Sequence, residues 1–471
     1  MTVSEFILKE VDFGGVGSLD SSVKKDTEAS LAIAIENAIT MDDSGVLRCD
    51  NYFVLYKDKK YSRANDKDFE IIFKTVLQEM GVGKVYIVNS PKVIFNHITR
   101  SAKFKEYKPT RSLIAFKNIV LNLDTMDTYD HSPKYHTGIY LNIDYDKNAK
   151  CKRWDKFLTE VLSTQDLIDV LQEFLGFIFI DRSKWNIEVM IYLLGNGSNG
   201  KGVVEHVIRK ILGQENVCPY SLYDLCESST ADYKCAVADG KLLNFCPDMG
   251  DKDFSGGRYK AIISGEPIPA RPINKEPYTA VNMPVFAASL NSMPATSDNS
   301  NGYYRRNKII PFDRVFKDNE QDKGLKKKLE SELSGIFNWI MIGRERLIKN
   351  EGNFTDSQRI KEMNEENKRL NDSLVAFLYD NDYFPNQEPL WKGRWITIQS
   401  IELYNRYKTY CMDNGRREKS STKIGKELNI LGYGDNKRKS MGVFVYSIFI
   451  RDSIETKIII KEQIENEELP F

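Results

Sequence analysis

The sequence predicts an α/β protein built around a central parallel sheet. Four short apolar segments alternate with helical or loop segments between about residues 185 and 312. Continuous apolar runs of this length are typical of strands buried on both faces of a parallel sheet, and their alternation with helices implies layers of helices on that sheet. The four segments are IEVMIYLL (187–194), LLNFC (242–246), VFAAS (285–289) and KIIPF (308–312).

Length and composition suit a globular protein of several domains. The 471 residues are enough for two to four domains, with 41% hydrophobic and 28% charged residues. The first residues, MTVSEFILKEVDF, lack the features of a signal peptide, and no apolar stretch is long enough to span a membrane. We therefore predict a cytoplasmic protein without membrane contact.

The cysteine pattern argues against a zinc-binding protein, and the net charge argues against a protein with a uniformly basic surface. The seven cysteines and four histidines are dispersed without a CxxC pair, which argues against a zinc cage. Lys plus Arg and Asp plus Glu both total 67, so the net charge is zero. A uniformly basic coat for DNA is thereby excluded, whereas local basic surfaces are not.

The strongest motif is a glycine-rich loop between the first strand and a helix. The run GNGSNGKG (195–202) is followed by VVEHVIRKILG, whose apolar residues recur at helical spacing. Strand, glycine-rich loop, lysine and helix form the context of a phosphate-binding loop, in which backbone N–H groups and the helix N-terminus surround phosphate. We predict an ATP site with Mg2+; the alternative is a glycine-rich turn with a surface lysine. The predicted loop residues are Gly195, Asn196, Gly197, Ser198, Asn199, Gly200, Lys201, Gly202 and Val203.

One loop residue departs from the usual pattern. The residue after the lysine is normally Ser or Thr, whose hydroxyl binds magnesium, and here it is Gly202. Either a carboxylate and water hold the metal without the loop, or nucleotide affinity is lowered. The sequence leaves both interpretations open.

Polar residues follow the second and third strands. Asp248 comes just after LLNFC, with Asp251 and Asp253 as competitors on the same loop, and Asn291 comes after VFAAS. Ligands of open parallel sheets bind at the carboxyl ends of the strands. We predict that Asp248 orients magnesium or the attacking water and that Asn291 hydrogen-bonds water and γ-phosphate oxygens. Taken singly, each is also an ordinary turn residue.

A basic pair, Arg305 and Arg306, directly precedes the fourth strand. Such a pair is commonly a solvated strand edge. In a ring ATPase, an arginine at this place can instead reach the nucleotide of the neighbouring subunit and stabilise the charge that develops in the transition state.

The order of these motifs resembles that of superfamily III helicases of the AAA+ class, in the primase-associated branch of poxviruses, phages and plasmids. The resemblance covers roughly residues 50–450. It includes IAFKNIVLNLDT, HSPKYHTGIYLNIDYDKNAKCKRWDKFL and LQEFLGFIF upstream of the loop. It continues through GNGSNGKG, KLLNFCPDMG, YKAIISGEPIPARPINKEPYTAVNMPVFAASLNSMP and YYRRNKIIPF.

The resemblance implies a hexameric ring that translocates on single-stranded DNA, typically 3′ to 5′. By this match Lys201 is the loop lysine, Asp248 the second-motif carboxylate and metal ligand, and Asn291 the sensor. Arg306 is the first candidate for the finger that acts in trans, and Arg305 is held in reserve. Residues 264–284 resemble the hairpin that these helicases place in the channel. Lys260, Arg271 and Lys275 would then contact DNA, although they are also ordinary surface charges.

The expected organisation is an AAA+ ATPase domain with a mixed α+β region before it and a winged-helix domain after it. No primase activity is expected, because residues 1–110 are short and lack a clustered acidic metal site. The predicted parts are 1–110, an accessory domain; 111–182, a helical pre-helicase (collar) region; 183–348, the ATPase; 349–371, a charged and solvated helical linker; 372–452, the winged helix; and 453–471, an acidic tail.

Two C-terminal features suggest partners. Three predicted helices followed by a hairpin carry a local basic excess within 416–439, which predicts duplex or origin binding or simply a solvated basic face. The basic residues taken as DNA contacts are Arg416, Arg417, Lys437 and Lys439. The end, ENEELPF, is similar to the tip of bacterial single-stranded-DNA-binding proteins, which suggests recruitment of host replication proteins; the alternative is a disordered acidic end.

The leading functional prediction is an ATP-dependent, ring-forming DNA helicase for the replication of a phage, plasmid or other mobile element. A second hypothesis is an origin-binding initiator whose ATPase is weak or serves as a switch, and Gly202 is its best support. A third is an AAA+ remodeller of protein partners without strand separation.

Overall fold

The computed structural model describes most of the chain. The described ranges are 2–11, 24–41, 43–49, 52–81, 84–108, 110–182, 184–247, 256–294, 300–317, 319–388, 391–435, 437–440 and 442–451. Asp248, Asp251, Asp253 and the tail after residue 451 lie outside them.

The N-terminal part combines a small antiparallel sheet with four helices. Residues 52–63 form an antiparallel strand pair around a charged turn, and a preceding strand completes the order β1–β2–β3. Phe69, Phe73 and Val76 of the amphipathic third helix are buried against this sheet and the other helices. The elements are α1 Val3–Glu10, α2 Lys24–Ile39, β1 Val46–Cys49, β2 Tyr52–Lys57, β3 Lys60–Arg63, α3 Asp66–Glu79 and α4 Lys84–Ile98.

Residues 111–182 contain strands as well as the expected helices. A four-stranded sheet in the order β6–β5–β4–β7 precedes two helices, α5 and α6. A turn at Ser163 and Thr164 separates these two helices. Helix α6 is buried on nearly all sides, which explains why its apolar residues occur on more than one face. The elements are β4 Leu113–Ala115, β5 Val120–Asn122, β6 Thr128–Tyr129, β7 Ile139–Tyr140, α5 Lys152–Val161 and α6 Gln165–Phe177.

The predicted α/β class with a central parallel sheet is confirmed. All four predicted strands lie in one sheet in the order β14–β8–β13–β10–β9, and every pair is parallel. The fifth strand, β9, is two residues long and was missed because so short a segment carries no periodicity. The elements are β8 Met190–Leu194, α7 Lys201–Leu212, β9 Val217–Cys218, α8 Leu222–Cys226, α9 Ala231–Ala238, β10 Leu243–Cys246, α10 Gly256–Ser264, β11 Ile268–Ala270, β12 Tyr278–Ala280, β13 Val285–Leu290, α11 Asn301–Tyr304, β14 Asn307–Pro311, α12 Leu325–Glu330 and α13 Leu333–Lys349.

The C-terminal part begins with a helix that the sequence had suggested to be solvated. This helix, α14, instead packs on the edge strand β14. Ile360 and Asn367 are buried, and the Asn364 amide donates a hydrogen bond to the Asn307 carbonyl at 3.0 Å. The predicted hairpin is confirmed, and strand β16, which sequence reasoning missed, pairs with its second strand over seven residues. The elements are α14 Gln358–Asn371, α15 Ser373–Asp380, β15 Tyr383–Phe384, β16 Gly393–Gln399, α16 Ser400–Asp413, α17 Ser421–Ile430, β17 Lys437–Ser440 and β18 Val443–Arg451.

One buried cluster joins the pre-loop region to the parallel sheet. Helices α6 and α13 cross so closely that a Cβ on Gly343 would lie 2.2 Å from the Gln172 carbonyl oxygen, and one on Gly176 would lie 2.2 Å from the Arg344 nitrogen. Trp154, Phe157 and Phe174 belong to the same cluster as the strands β8, β10 and β13. The platform that carries the glycine-rich loop therefore includes residues well upstream of it.

The helix crossing gives a stability prediction. Gly343→Ala should lower the free energy of unfolding by about 1–3 kcal/mol, because its methyl group overlaps backbone atoms that cannot move without separating the helices. Gly425→Ala in α17 is the control, since a Cβ there meets no atom within 4 Å, and it should be neutral or slightly stabilising. Thermal or urea unfolding measures both; equal unfolding midpoints for the two variants would contradict the close packing.

Candidate functional site

The glycine-rich loop lies between the carboxyl end of β8 and the start of α7. Gly197 and Gly200 have φ values of 87° and 94°, a left-handed conformation that favours glycine. Gly200 is also the residue before α7, and a Cβ on it would lie 2.8 Å from the Val161 side chain. The loop thus turns tightly against α5, and its last residues continue directly into the N-terminus of α7.

Three hydrogen bonds fix the loop to its surroundings. The Gly195 N–H donates to the Leu290 carbonyl at 3.0 Å, and the Phe316 N–H donates to the Ser198 carbonyl at 2.9 Å. The Asn199 amide donates to the Phe312 carbonyl at 3.3 Å. The loop conformation therefore depends on the strands on both sides of β8 and does not rest on its own sequence alone.

Lys201 lies inside this loop. Its side chain is 7% exposed, and its ammonium group donates to the Gly195 carbonyl and, at 3.2 Å, to Asn199 Oδ1. Burial lowers the pKa of this lysine. A cation held among backbone groups at a helix N-terminus is suited to bind an anion, whose oxygens would replace the carbonyl and amide acceptors.

A cavity of about 560 Å³ opens beside the loop. Ser198, Gly200 and Val203 form its loop side, whereas Phe157 of α5 and Phe316 line it elsewhere. The volume is typical of small-molecule sites, and the aromatic residues offer apolar contact next to a phosphate site. Sequence reasoning missed Phe157 and Phe316, because no motif links them to the loop.

Asn291, one of the polar residues singled out from the sequence, lies at the same edge of the sheet as the loop. Leu290 is level with Leu194 in the adjacent strand, so Asn291 follows β13 directly beside Gly195. Its side chain is exposed. The next strand, β10, ends at Cys246, which pairs with Ala288, and Asp248 two residues later lies outside the described part of the chain.

The arginine pair lies at the opposite edge of the sheet. Asn307 pairs with Met190, so Arg306 is level with the residue before β8, about 20 Å along the strand from the loop. Arg306 is 6% exposed; its guanidinium forms an ion pair with Glu188 at 3.0 Å and donates to the Gly302 carbonyl at 2.6 Å. The Arg305 side chain is 61% exposed and contacts the same Glu188 carboxylate.

The segment 264–284, expected to form a hairpin, contains the antiparallel strand pair β11 and β12. Arg271 and Lys275 lie at its tip and are exposed, and Arg271 Nε donates to the Lys275 carbonyl at 3.2 Å. Lys260 is on α10, where its ammonium donates to Ser300 Oγ at 2.9 Å. The hairpin thus groups two of the three predicted cations, and Lys260 lies apart from them.

The C-terminal basic residues are only partly available to a ligand. Arg417 and Lys439 are exposed, whereas Arg416 donates to the Leu370 carbonyl at 3.0 Å and Lys437 lies 4.8 Å from the Phe444 ring centre. Lys419, which contributed to the basic excess, is buried between Asp372 and Glu427, at 2.7 Å from each carboxylate. The basic charge exposed to solvent is therefore lower than the basic excess that the sequence shows within 416–439.

Two kinds of feature are absent from the part of the chain that the structure describes. The described residues contain no group of three or more His, Cys, Asp or Glu side chains placed to hold a metal ion. Among the helices that the structure describes, none is long and apolar enough to cross a membrane.

Comparison with known proteins gives two family matches. Residues 49–163 match the model of the family described as D5 N terminal like. Residues 193–306 match a family of unknown function, DUF5906, so this match begins in β8 and ends at the arginine pair. Each match covers about a quarter of the chain.

One curated relative is a protein of Acanthamoeba polyphaga mimivirus, L207/L206, whose name describes it as a candidate helicase. It is 28% identical over 230 residues, which cover 46% of this chain and 23% of that protein. This chain is thus similar to part of a much longer viral protein.

Solved structures with some likeness are apo forms of the NrS-1 C-terminal region. One has a TM-score of 0.48 at 14% identity and another a TM-score of 0.45 at 14% identity; both alignments cover 86% of this chain and 95% of the other. A TM-score below 0.5 does not establish a common fold.

The geometry of the arginine pair gives a second stability prediction. Arg306→Ala should destabilise the protein by about 3 kcal/mol or more, because it removes one partner of a buried ion pair. Arg305→Ala should cost only about 0–1 kcal/mol, since its contact with Glu188 is solvent-exposed. Urea unfolding of the two variants compares them, and a milder effect for Arg306→Ala than for Arg305→Ala would contradict the structure.

Proposed function

We propose that this chain is the ATP-driven motor of a replicative DNA helicase of a mobile genetic element, related to the superfamily III branch of AAA+ proteins, and that it works as a ring, most simply a hexamer. The glycine-rich loop, which contains the buried Lys201 and lines a cavity of about 560 Å³ through Ser198 and Gly200, is the observation that carries this proposal. The similarity to the mimivirus protein supports a helicase over other ATPases.

In this proposal the loop holds the triphosphate and the cavity holds the nucleoside. Backbone N–H groups and Lys201 bind phosphate oxygens, while Phe157 and Phe316 contact the base or ribose. Asn291 lies beside the loop, where its amide would hydrogen-bond the attacking water and the terminal phosphate. Each of these groups positions or neutralises charge, which is what phosphoryl transfer requires.

Magnesium would neutralise further phosphate charge. Asp248 is the residue that would hold it, together with water. The loop itself supplies no side-chain oxygen next to Lys201, since that position is Gly202. A Cβ on Gly202 would meet no atom within 4 Å, so a side chain with a hydroxyl group would fit at this position.

A neighbouring subunit would complete the site. Arg305 and Arg306 lie at the amino edge of the sheet and cannot reach the nucleotide at the carboxyl edge of their own subunit. The burial of Arg306 favours Arg305 as the arginine that reaches into the adjacent site, which reverses the order suggested by the sequence. Arg306 then holds the exposed arginine in place through their shared contact with Glu188.

DNA contacts would come from the hairpin and from the C-terminal part. Arg271 and Lys275 at the hairpin tip are placed to contact phosphates of a single strand in the channel, with 3′-to-5′ movement expected from the resemblance. Residues 372–451 run as helix, two strands, two helices and hairpin, an order that supports a winged helix. Duplex contacts would then involve Arg417, Lys439 and the exposed part of Arg416 and Lys437, and the Leu-Pro-Phe tail would recruit host replication proteins.

A second candidate function is an initiator in which ATP binding acts as a switch. Gly202 favours the initiator, because weak binding of the metal lowers the rate of ATP hydrolysis more than it lowers the affinity for ATP. Strand displacement on forked DNA separates the two functions: a motor unwinds the fork with ATP, whereas a switch binds it without separating the strands.

The shared site predicts complementation between two inactive variants. Lys201→Ala lacks its own loop lysine and Arg305→Ala lacks the arginine that it donates, so each alone should lose most ATP hydrolysis. In mixed rings about one site in four combines an intact lysine with an intact neighbouring arginine, and turnover should recover to about that fraction of wild type.

The control for this mixing experiment is Lys201→Ala combined with the double variant Lys201→Ala/Arg305→Ala, in which no site has its lysine. Subunit exchange is verified by size-exclusion chromatography of differently labelled proteins. Absence of recovery in rings that do exchange would contradict an arginine acting in trans.

The open space at Gly202 gives a prediction about magnesium. Gly202→Ser should lower the Mg2+ concentration needed for half-maximal ATP hydrolysis several-fold, because its hydroxyl adds a metal ligand. Gly202→Ala is the matched control and should leave the requirement unchanged. If Ser and Ala behave alike, the metal is not within reach of this position.

A further inference from the structure

A second cavity lies between the N-terminal part and the tip of the β11–β12 hairpin. Its volume is about 480 Å³. Strands β1 to β3, the start of α3 and the end of α4 form most of its wall, and Lys275 of the hairpin closes one side. The two parts of the chain are close to each other here. Burial raises the pKa of Tyr278 in β12, and Arg63 and Tyr52 of the N-terminal part also influence this pKa.

Cations dominate the lining of this cleft. Arg48, Arg63 and Lys275 face one carboxylate, that of Asp66. Because the whole chain has zero net charge, such an excess is a local feature. The first turn of α3, a helix of 14 residues, lies at the same wall and adds the positive end of its dipole.

Aromatic side chains alternate with these cations. The Arg63 guanidinium lies 4.3 Å from the centre of the Tyr52 ring, and both side chains are at least partly exposed. Phe95 is half-buried in the same wall. Arg48 is held against Phe53 and donates to the Ser101 carbonyl at 2.9 Å, so its position is fixed by the fold.

We propose that this cleft binds single-stranded nucleic acid and passes the strand to the hairpin tip. Basic side chains that follow a phosphate backbone and aromatic rings on which bases stack are the features of sequence-independent single-strand sites. Lys275 belongs to both the cleft and the hairpin, so a strand seated in the cleft is already in contact with the residue proposed to grip it. The inference rests on the proposed function and gives the N-terminal part a role in it.

An acidic peptide is the competing occupant, because it also complements a basic cleft. The aromatic stacking surface favours nucleic acid, since a peptide of Asp and Glu side chains has no flat rings to place on Tyr52. The chain's own acidic C-terminal segment provides a suitable peptide for comparison.

The test measures binding of fluorescent oligo(dT) and oligo(U) to the full chain by anisotropy over a range of salt concentrations. Arg63→Ala should weaken binding several-fold and lower the salt slope by about 0.7, the value for one phosphate contact with a single strand. Arg63→Lys should keep the salt slope but lose part of the affinity, because an ammonium cannot stack flat on Tyr52.

Two further variants separate a local effect from misfolding. Asp66→Asn should tighten binding about two- to fivefold by removing the carboxylate from the lining. Lys74→Ala removes an exposed cation on the outer face of α3 and should leave affinity unchanged. ATP hydrolysis without nucleic acid should be the same in all four variants, which shows that the loop site is intact.

Unchanged affinity and salt slope in Arg63→Ala, with normal ATP hydrolysis and strand displacement, would overturn the cleft as a nucleic-acid site while leaving the proposed function standing. Arg63-dependent binding of the C-terminal acidic peptide, without any effect on oligonucleotides, would overturn it in favour of a peptide site. If the wild-type protein neither binds oligonucleotides nor hydrolyses ATP, the proposed function itself fails.

Discussion

The register of the parallel sheet is the constraint on which the candidate site depends. Leu194 is level with Leu290 on one side and with Pro311 on the other, so the glycine-rich loop leaves β8 with a strand end on each flank. Hydrogen bonds to the Leu290 and Phe312 carbonyls then fix its two halves. A shift of either neighbouring strand by one residue would remove these bonds and turn side chains to the other face. The loop is therefore shaped before any ligand binds.

The same register keeps the arginine pair away from the glycine-rich loop of its own chain. Parallel strands bring the loop and Asn291 to one edge of the sheet and carry Arg305 and Arg306 to the other. No rotamer of an arginine side chain spans the length of a strand, so a contribution from this pair requires a second copy of the chain. In the proposed function, this separation is the reason that a neighbouring subunit supplies the arginine.

Much of this arrangement could be predicted from the sequence, and the remainder required tertiary contacts. The four strands and α7 follow from local patterns, since apolar runs and glycines report on the backbone nearby, whereas the hairpin within 264–284 was expected from the family resemblance. Burial of Arg306 by Glu188 and Ser264, burial of Lys419 by Asp372, and the aromatic wall of Phe157 and Phe316 involve residues far apart in the chain. No local pattern records which partner neutralises a charge, which is why the burial of Arg306 and the lower exposed basic charge of the C-terminal part could not be predicted from the sequence.

The contacts of Arg306 connect the amino edge of the sheet to the proposed DNA-gripping hairpin. Its guanidinium donates to Ser264 Oγ at 3.0 Å, and Ser264 in turn donates to Glu188 Oε1 at 2.9 Å. Ser264 is the last residue of α10, a few residues before β11. Arg305 contacts the same oxygen, Glu188 Oε2, that Arg306 contacts at 3.0 Å. In the proposed ring, an Arg305 side chain drawn toward a neighbouring nucleotide would therefore leave Glu188 Oε2 paired with Arg306 and Glu188 Oε1 paired with Ser264. Because a buried charge is stable only when it is paired, this network would hold the base of the hairpin in place while Arg305 moves.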